Sequence, residues 1–470
     1  MNDLLVMKFG GTSMGSAERI RVAAQICAEQ RALRPVVAVV SAMSKITDLL
    51  LDALRKAEAG DETGLDLNLQ QLRERHWECC ALLLDGDHRE ATLANIEALI
   101  SDFRRIAHGI RMLGERPPRS VDEAISIGER LSALTIAAYL NASGTRAKDV
   151  NAAQIVVTDS VFGNASPLMD ETRKRAESIL RPMLRDGVLP VITGFNGATT
   201  DGRPTTLGRG GSDFSASIVA SALDASELWI WTDVDGIMTA DPRFVADARV
   251  LDEVSYAEAA ELAYNGAKVL HPRTLAPLVE RQIPVWSKNS FCIQAPGTKI
   301  VPKVKATPGA RAVTSMSKVA LVSIEPASAA TSGTRLMARS LDALASINAE
   351  VLAFTSSSYR QSFCFLVRSE ELERVIESLE AALALELTHG YVKPIQVDEK
   401  VGLLAIVGEG MRGTPGLAGR IFNAISREDI NIIAIAQGSS ELTISIVVNR
   451  DGLDRAIQAV HAECNLGSKR

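Results

Sequence analysis

Over the first three hundred residues, short runs of aliphatic and β-branched residues alternate with longer segments whose apolar positions recur every three or four residues. That rhythm predicts strands alternating with helices, an α/β arrangement built on a mostly parallel sheet. Residues 4–7 read as a buried strand. After a glycine turn, the segment from Ala17 sets Ile20, Ala23, Ala24 and Cys27 on one helical face, with Ser16 placed to cap it. A second apolar run over 35–40 breaks at Ser41, and a helix is predicted over 47–58. Residues 61–115 read as helical and charged until Arg116-Pro117-Pro118 interrupts them. Further strands are predicted at 154–157, 189–193 and 228–231, and Asp201-Gly202 marks a hairpin.

Between 295 and 317 the helical periodicity lapses and Pro296, Pro302 and Pro308 punctuate the chain. A first domain over 1–300 and a linker over 301–317 are expected. Beyond it, Gly333 and Gly416, Asn348 and Asn431, and Phe354 and Gln437 are each 83 positions apart. Each stretch reads strand, loop, helix, strand, strand, helix. The pattern predicts two copies of a small βαββαβ module, at 318–396 and 397–470, with chance similarity of two α/β stretches as the alternative.

Composition narrows the partners. The chain of 470 residues carries 51 Lys and Arg against 57 Asp and Glu, a formal net charge of −6, so no basic field exists to gather a nucleic-acid backbone. Any phosphate recognised here should be small and locally bound. Six cysteines, at 27, 79, 80, 292, 364 and 464, form no CxxC pair and have no histidine at zinc-finger spacing; neither a structural metal nor a disulfide framework is indicated. The opening MNDLLVMKFGG has an acid where a signal peptide has a basic residue, and no apolar run approaches the roughly 18–20 residues of a membrane helix. A cytoplasmic protein without a membrane partner is expected.

Four segments could carry chemistry. Lys8-Phe9-Gly10-Gly11-Thr12-Ser13 places a cation, bare backbone N–H groups and a helix start together, which suits an anion, although a simple tight turn fits the same spacing; it is not a Walker A loop. Gly208-Arg209-Gly210-Gly211-Ser212-Asp213 surrounds a planar guanidinium with three glycines ahead of a helix predicted over 215–223, suiting close approach to a carboxylate or phosphate. Asp213 could instead serve only as a partner of the helix dipole. Asp233 and Asp235, just past a strand, are either an aspartate-rich turn or a nucleotide and metal edge. Glu129, in Gly128-Glu129-Arg130, reads by itself as part of a solvated helix face. A fifth match, Gly408-Glu409-Gly410-Met411-Arg412-Gly413, fits GxGxxG, but Asp429 precedes rather than ends the next strand and too little chain follows to complete a dinucleotide-binding sheet.

Together, Lys8-Phe9-Gly10-Gly11-Thr12-Ser13, Val40-Ser41-Ala42 through Ile46-Thr47, Ile127-Gly128-Glu129-Arg130, Gly208 to Asp213, Trp231-Thr232-Asp233-Val234 and Gly266-Ala267-Lys268-Val269-Leu270-His271-Pro272 resemble the aspartate kinase family, in order along the chain. The C-terminal repeat resembles tandem ACT modules, and Ala434 to Glu441 looks most like the threonine-responsive members, including those fused to a homoserine dehydrogenase. The resemblance implies an amino-acid-kinase sheet between helices followed by two ACT-type modules. It also implies ATP-dependent phosphorylation of the side-chain carboxylate of L-aspartate, in lysine, threonine and methionine synthesis.

By the same resemblance, Lys8 sits on the transferring phosphate, Asp213 orients it, and Arg209 holds a substrate carboxylate. Ser41, Thr47 and Glu129 fix the amino group and backbone end of aspartate, beside Gly210, Gly211 and Ser212. ATP lies along Gly10, Gly11, Thr12, Thr232, Asp233, Met238, Arg243 and Lys268, with Mg2+ bridging its phosphates and no dedicated protein metal site. An aspartate carboxylate, with a reference pKa of about 3.9, is ionised at neutral pH and needs no base; positive charge and alignment are what the reaction requires.

Two departures from the family pattern stand out. Met238 occupies a position where relatives usually carry tyrosine. The first ACT copy has Phe354-Thr355-Ser356-Ser357-Ser358 in place of Gln-Ser-Ser-Ser-Glu, and Glu325-Pro326 in place of a glycine-rich loop start. Phenylalanine offers no polar partner to an amino-acid effector. A threonine or lysine effector is therefore expected at Gln437 of the second copy, in a homodimer or larger homo-oligomer paired through the ACT modules. A sister kinase for another carboxylate, or a non-catalytic amino-acid sensor, would share many of these features.

Overall fold

The computed structural model describes residues 3–267, 270–305, 308–327, 332–358 and 361–467. The chain forms two compact units. The first runs to Ile237 and adds Asp252–Tyr256 and Leu270–Lys303; the second comprises Met238–Leu251, Ala257–Val269 and the chain from Val304.

The first unit is organised by an eight-stranded sheet in the order Ala147–Val150, Leu189–Thr193, Val36–Val40, Leu5–Phe9, Glu227–Thr232, Val285–Asn289, Thr298–Val301, Glu253–Ser255. Every neighbouring pair is parallel except Val285–Asn289 with Thr298–Val301. The central strands are continuous apolar runs because helices cover the sheet, and Leu5–Phe9 and Val36–Val40 are buried at every position. Against them pack the helices Ala17–Leu33, Ile46–Glu58, Glu62–Leu83, Gly86–Leu113 and Ile127–Ala142. Ile20, Ile46, Leu50 and Ile136 are fully buried there, each contributing about 1.5–3 kcal/mol. Ser16 caps the first helix through the Arg19 amide, as its position suggested.

Two expectations change. The run predicted as a strand at 154–157 is a 3-10 turn, Ala152–Gln154, followed by a two-residue strand, Val157–Thr158. Asn151 draws the chain into the turn by accepting from the Ala153 amide, a polar signal that the apolar run conceals. The helix expected from 215 begins at Gly211. Its N-cap, Gly210, has φ 70°, a left-handed conformation costly for a residue with a Cβ. Asp201-Gly202 does turn a hairpin, between Asn196–Thr199 and Pro204–Thr206.

The second unit corrects the expected boundaries. Ala312–Met316, inside the presumed linker, is a strand that pairs antiparallel with Val401–Val407. It completes a sheet ordered Ala312–Met316, Val401–Val407, Thr443–Asn449, Ile432–Gln437. The other sheet runs Ala353–Ser356, Phe363–Arg368, Val319–Ile324, Gln396–Asp398. Both repeats therefore show strand, helix, strand, strand, helix, but the fourth strand of one sheet follows its repeat and that of the other precedes both. The segments 238–251 and 257–269, expected within a domain over 1–300, also group with this unit. Ala240 and Val245 are buried in the same apolar cluster as Ile457, Val460 and Leu466. The GxGxxG match follows a strand of an antiparallel sheet, not the parallel unit that a dinucleotide fold requires.

Candidate active site

Lys8 lies near the end of the central strand Leu5–Phe9, where parallel sheets present their carboxyl ends to ligands. The strand buries its stem, leaving the residue 8% exposed, and the amine can only emerge over the following glycine loop. A Cβ added to Gly10 would stand 3.5 Å from Lys8 Nζ. The Gly10 amide donates to Trp231 O at 3.2 Å and the Ser44 amide to Gly11 O at 3.1 Å, so neighbouring strand ends hold the loop on both sides.

Lys8 Nζ is 2.5 Å from Asp213 Oδ1, in the first turn of the helix Gly211–Ala222. That helix has no side-chain cap; the Gly211 amide donates to Gly208 O at 2.9 Å, and the positive end of the helix dipole lies beside the amine. A structural helix start would take an acid there without a lysine. A buried cation bridged to that acid at a helix start is an arrangement that can receive an anion. Asp213 is thus a partner of Lys8 rather than only of the dipole.

Glu129 reverses its sequence reading. It is 3% exposed, on Ile127–Ala142, and accepts from the Ala42 amide at 3.2 Å through Oε1, while Oε2 is buried without a hydrogen bond. Burial pushes its carboxyl up to about 8, opposed by the Ala42 hydrogen bond and by the charge of Lys8. Gly128 makes this approach possible: a Cβ there would come within 3.0 Å of Ala42 Cβ. Ser41 and Thr47 flank the same crossing, since the Ser41 amide donates to Phe9 O at 3.1 Å and Thr47 lies in the first turn of Ile46–Glu58.

The remaining expected residues divide. Arg209 is exposed, between Gly208 and Gly210, both left-handed; Ser212 is partly covered in the first turn of the following helix. Thr232 ends the strand adjacent to Lys8's, and exposed Asp233 follows it. Thr12 is exposed in the glycine loop. Met238 and Arg243 belong to the second unit, where Arg243 is paired with Asp241 at 2.5 Å, and Lys268 lies outside the described residues. Gln437 and Phe354 line one cavity of about 520 Å³ within the second unit, together with Glu261, Asn265 and Ser440. Phe354 stacks on Phe363 with centroids 5.8 Å apart, an apolar use of the position.

Sequence reasoning missed two sets of residues. Asp122, 2% exposed, accepts from the Thr206 amide (2.9 Å), Thr206 Oγ1 (2.8 Å) and the Gly163 amide (2.8 Å), which fixes the entry to the Gly208–Asp213 loop. An acid between Val121 and Ala124 on a short amphipathic helix was the available signal. The other set, Ser13, Asn289 and Ser290, ties the glycine loop to the turn after Thr232. Short polar residues just past a buried strand were its only mark.

The amino acid kinase family model matches residues 3–289, and an ACT domain model matches residues 404–464. Arabidopsis thaliana aspartokinase 3, a chloroplastic protein, is 32% identical over 97% of this chain and 81% of its own length. The chloroplastic bifunctional aspartokinase/homoserine dehydrogenase 1 of the same plant is 36% identical over 97% of this chain but only 50% of its own. Thus the chain spans about half the length of the bifunctional relatives. E. coli aspartokinase III, solved in complex with aspartate and ADP, superposes with a TM-score of 0.83 at 30% identity, covering 98% of this chain and 99% of that one. The same enzyme in complex with lysine and aspartate gives 0.81. The chain belongs to the amino acid kinase family, within its aspartokinase branch.

Proposed function

We propose that this chain transfers the γ-phosphoryl group of ATP to the side-chain carboxylate of L-aspartate, giving 4-phospho-L-aspartate at the head of lysine, threonine and methionine synthesis. The observation that carries the reading is the Lys8–Asp213 pair beside the buried, half-satisfied Glu129. The aspartate and ADP complex of E. coli aspartokinase III supports the substrate pair.

Both reactants are anions, so the site must supply positive charge and alignment rather than a base. Lys8 and the uncapped start of Gly211–Ala222 meet the transferring phosphoryl group, and Asp213 keeps the amine turned toward it. Arg209, with its planar fork, takes a substrate carboxylate. Glu129 Oε2 receives the substrate ammonium, which restores the ionised carboxylate that burial disfavours. Ser41 and Thr47 take the backbone end. The nucleotide follows Gly10, Gly11 and Thr12 to Thr232 and Asp233. Among the described residues no three His, Cys, Asp or Glu side chains converge as a metal cage. We propose Mg2+ as the counter-ion of the nucleotide, whose positive charge would offset that of the phosphates.

No described helix is long and apolar enough to cross a membrane. The lysine complex of E. coli aspartokinase III supports an amino-acid effector here as well, and we place threonine or lysine at Gln437, in a homo-oligomer joined through the ACT modules. Turnover of aspartate and Mg-ATP, trapped as the hydroxamate and titrated with threonine and with lysine, tests the whole reading. Turnover on glutamate but not aspartate would instead support a sister kinase, and absence of turnover a sensor.

A further inference from the structure

Three strand ends of the first unit meet in a buried polar cluster to which the phosphoryl chemistry above assigns no role. Ser13, in the glycine loop, is fully buried, and Ser290 and Asn289, at the end of Val285–Asn289, are 2% and 8% exposed. Ser290 donates to Thr232 O twice, from its amide at 2.9 Å and from Oγ at 3.1 Å. Ser13 Oγ and Ser290 Oγ share a hydrogen bond at 2.8 Å, and Ser13 Oγ also lies 3.4 Å from Trp231 O. Asn289 Nδ2 donates to Asp235 Oδ1 at 2.7 Å, and Asn289 Oδ1 accepts from the Phe291 amide at 2.7 Å.

The element carrying these residues is itself held firmly. Arg19, in the first turn of Ala17–Leu33, donates to Ser290 O and lies 3.7 Å over the Phe291 ring. On the strand side, Lys288 Nζ sits 5.1 Å from the Trp229 ring and 5.2 Å from that of Trp286. So a segment outside every sequence motif joins the glycine loop after Lys8 to the turn after Thr232, through the buried Ser13, Asn289 and Ser290. It also fixes the direction of the Asp235 carboxylate through the Asn289 amide.

We infer that Asn289 and Ser290 are positioning residues: they hold the Thr232–Asp235 turn in register with the Lys8 loop and turn the Asp235 carboxylate toward Asn289, so that one nucleotide engages both elements. This rests on the reading of that turn as the nucleotide edge.

A charge exchange tests it. Asn289→Asp keeps the acceptor for the Phe291 amide but sets two carboxylates in hydrogen-bond contact; adding Asp235→Asn restores the bond with its ends reversed. Mg-ADP binding by calorimetry should weaken at least about tenfold in Asn289→Asp and return to within about threefold of the parent in the double variant. Ser290→Ala, which removes one hydroxyl and leaves packing intact, should raise KM for ATP about three- to tenfold with kcat and KM for aspartate within about twofold. Unchanged Mg-ADP binding in Asn289→Asp, no recovery in the double variant, or parallel loss of kcat and both KM values in Ser290→Ala would overturn the inference. Should Asn289→Asp not fold, Ser290→Ala decides alone. If the parent chain binds Mg-ADP but does not phosphorylate aspartate, the substrate reading fails and the binding arms still decide this one.

Discussion

Glu129 shows how one side chain can be costly to the fold and useful to the site. Its carboxyl, ordinarily at 4.5, is pushed up to about 8 by burial, so folding takes up a proton across that interval. The folded state binds the extra proton; stability of the ligand-free protein therefore falls as pH rises through the window and levels off above about 8. Glu129→Gln should remove that fall in thermal unfolding while abolishing aspartate binding. An aspartate KM that improves as pH rises toward about 8 in the parent is the matching kinetic signature, since only the ionised carboxylate pairs with an ammonium. A flat profile would say that Glu129 meets no cation. Lys8 and Asp213 give a second expectation at this scale. Asp213→Asn leaves the Lys8 amine with a neutral partner at 2.5 Å, and kcat should drop by about 10²–10³-fold, with ADP affinity much less affected. Equal losses in kcat and ADP binding would make the pair a binding device instead.

Elements explain why some of this was legible in the sequence and some was not. Val36–Val40 and Leu189–Thr193 lie close to where the pattern put them, because a doubly covered parallel strand is a continuous β-branched run with no helical competitor. Lys8 was legible because a lysine closing such a run has nowhere to go but the strand end. Glu129 was not, since its burial depends on Gly128 letting two helices approach, a tertiary fact. Ser13 and Ser290 are 277 positions apart, and two hydroxyls carry no pairing signal at that range. Ala312–Met316 escaped because the prolines and glycines around it read as linker, while its partner strand comes some ninety residues later. That strand also receives the Thr239 carbonyl: the Val313 amide donates to it at 2.8 Å. Val313→Pro removes this donor, and the thermal midpoint of the second unit should fall by several degrees, at roughly 2–4 °C per kcal/mol. An unchanged midpoint would make the strand dispensable.

For the whole molecule, the acidic balance of 51 basic against 57 acidic side chains acquires a site-level meaning. On the proposed function, a chain of net charge −6 has to meet two anions with locally concentrated positive charge, for which Lys8, the start of Gly211–Ala222 and Arg209 are the proposed sources. The second unit holds a cavity lined by Phe354 and Gln437. If an amino-acid effector acts there, Gln437→Ala should weaken inhibition by threonine or lysine at least about fivefold in a dose–response assay without changing uninhibited turnover. Inhibition that is unaffected would place the effector elsewhere. The proposed function rests on Lys8 making this an aspartate-phosphorylating site. Its most direct test is aspartyl hydroxamate formation from aspartate, Mg-ATP and hydroxylamine by the full chain and by Lys8→Met. The account predicts steady product from the parent and a loss of at least about 10³-fold in the variant, with the fold retained by circular dichroism; a folded Lys8→Met protein that turns over at the parent rate would contradict it.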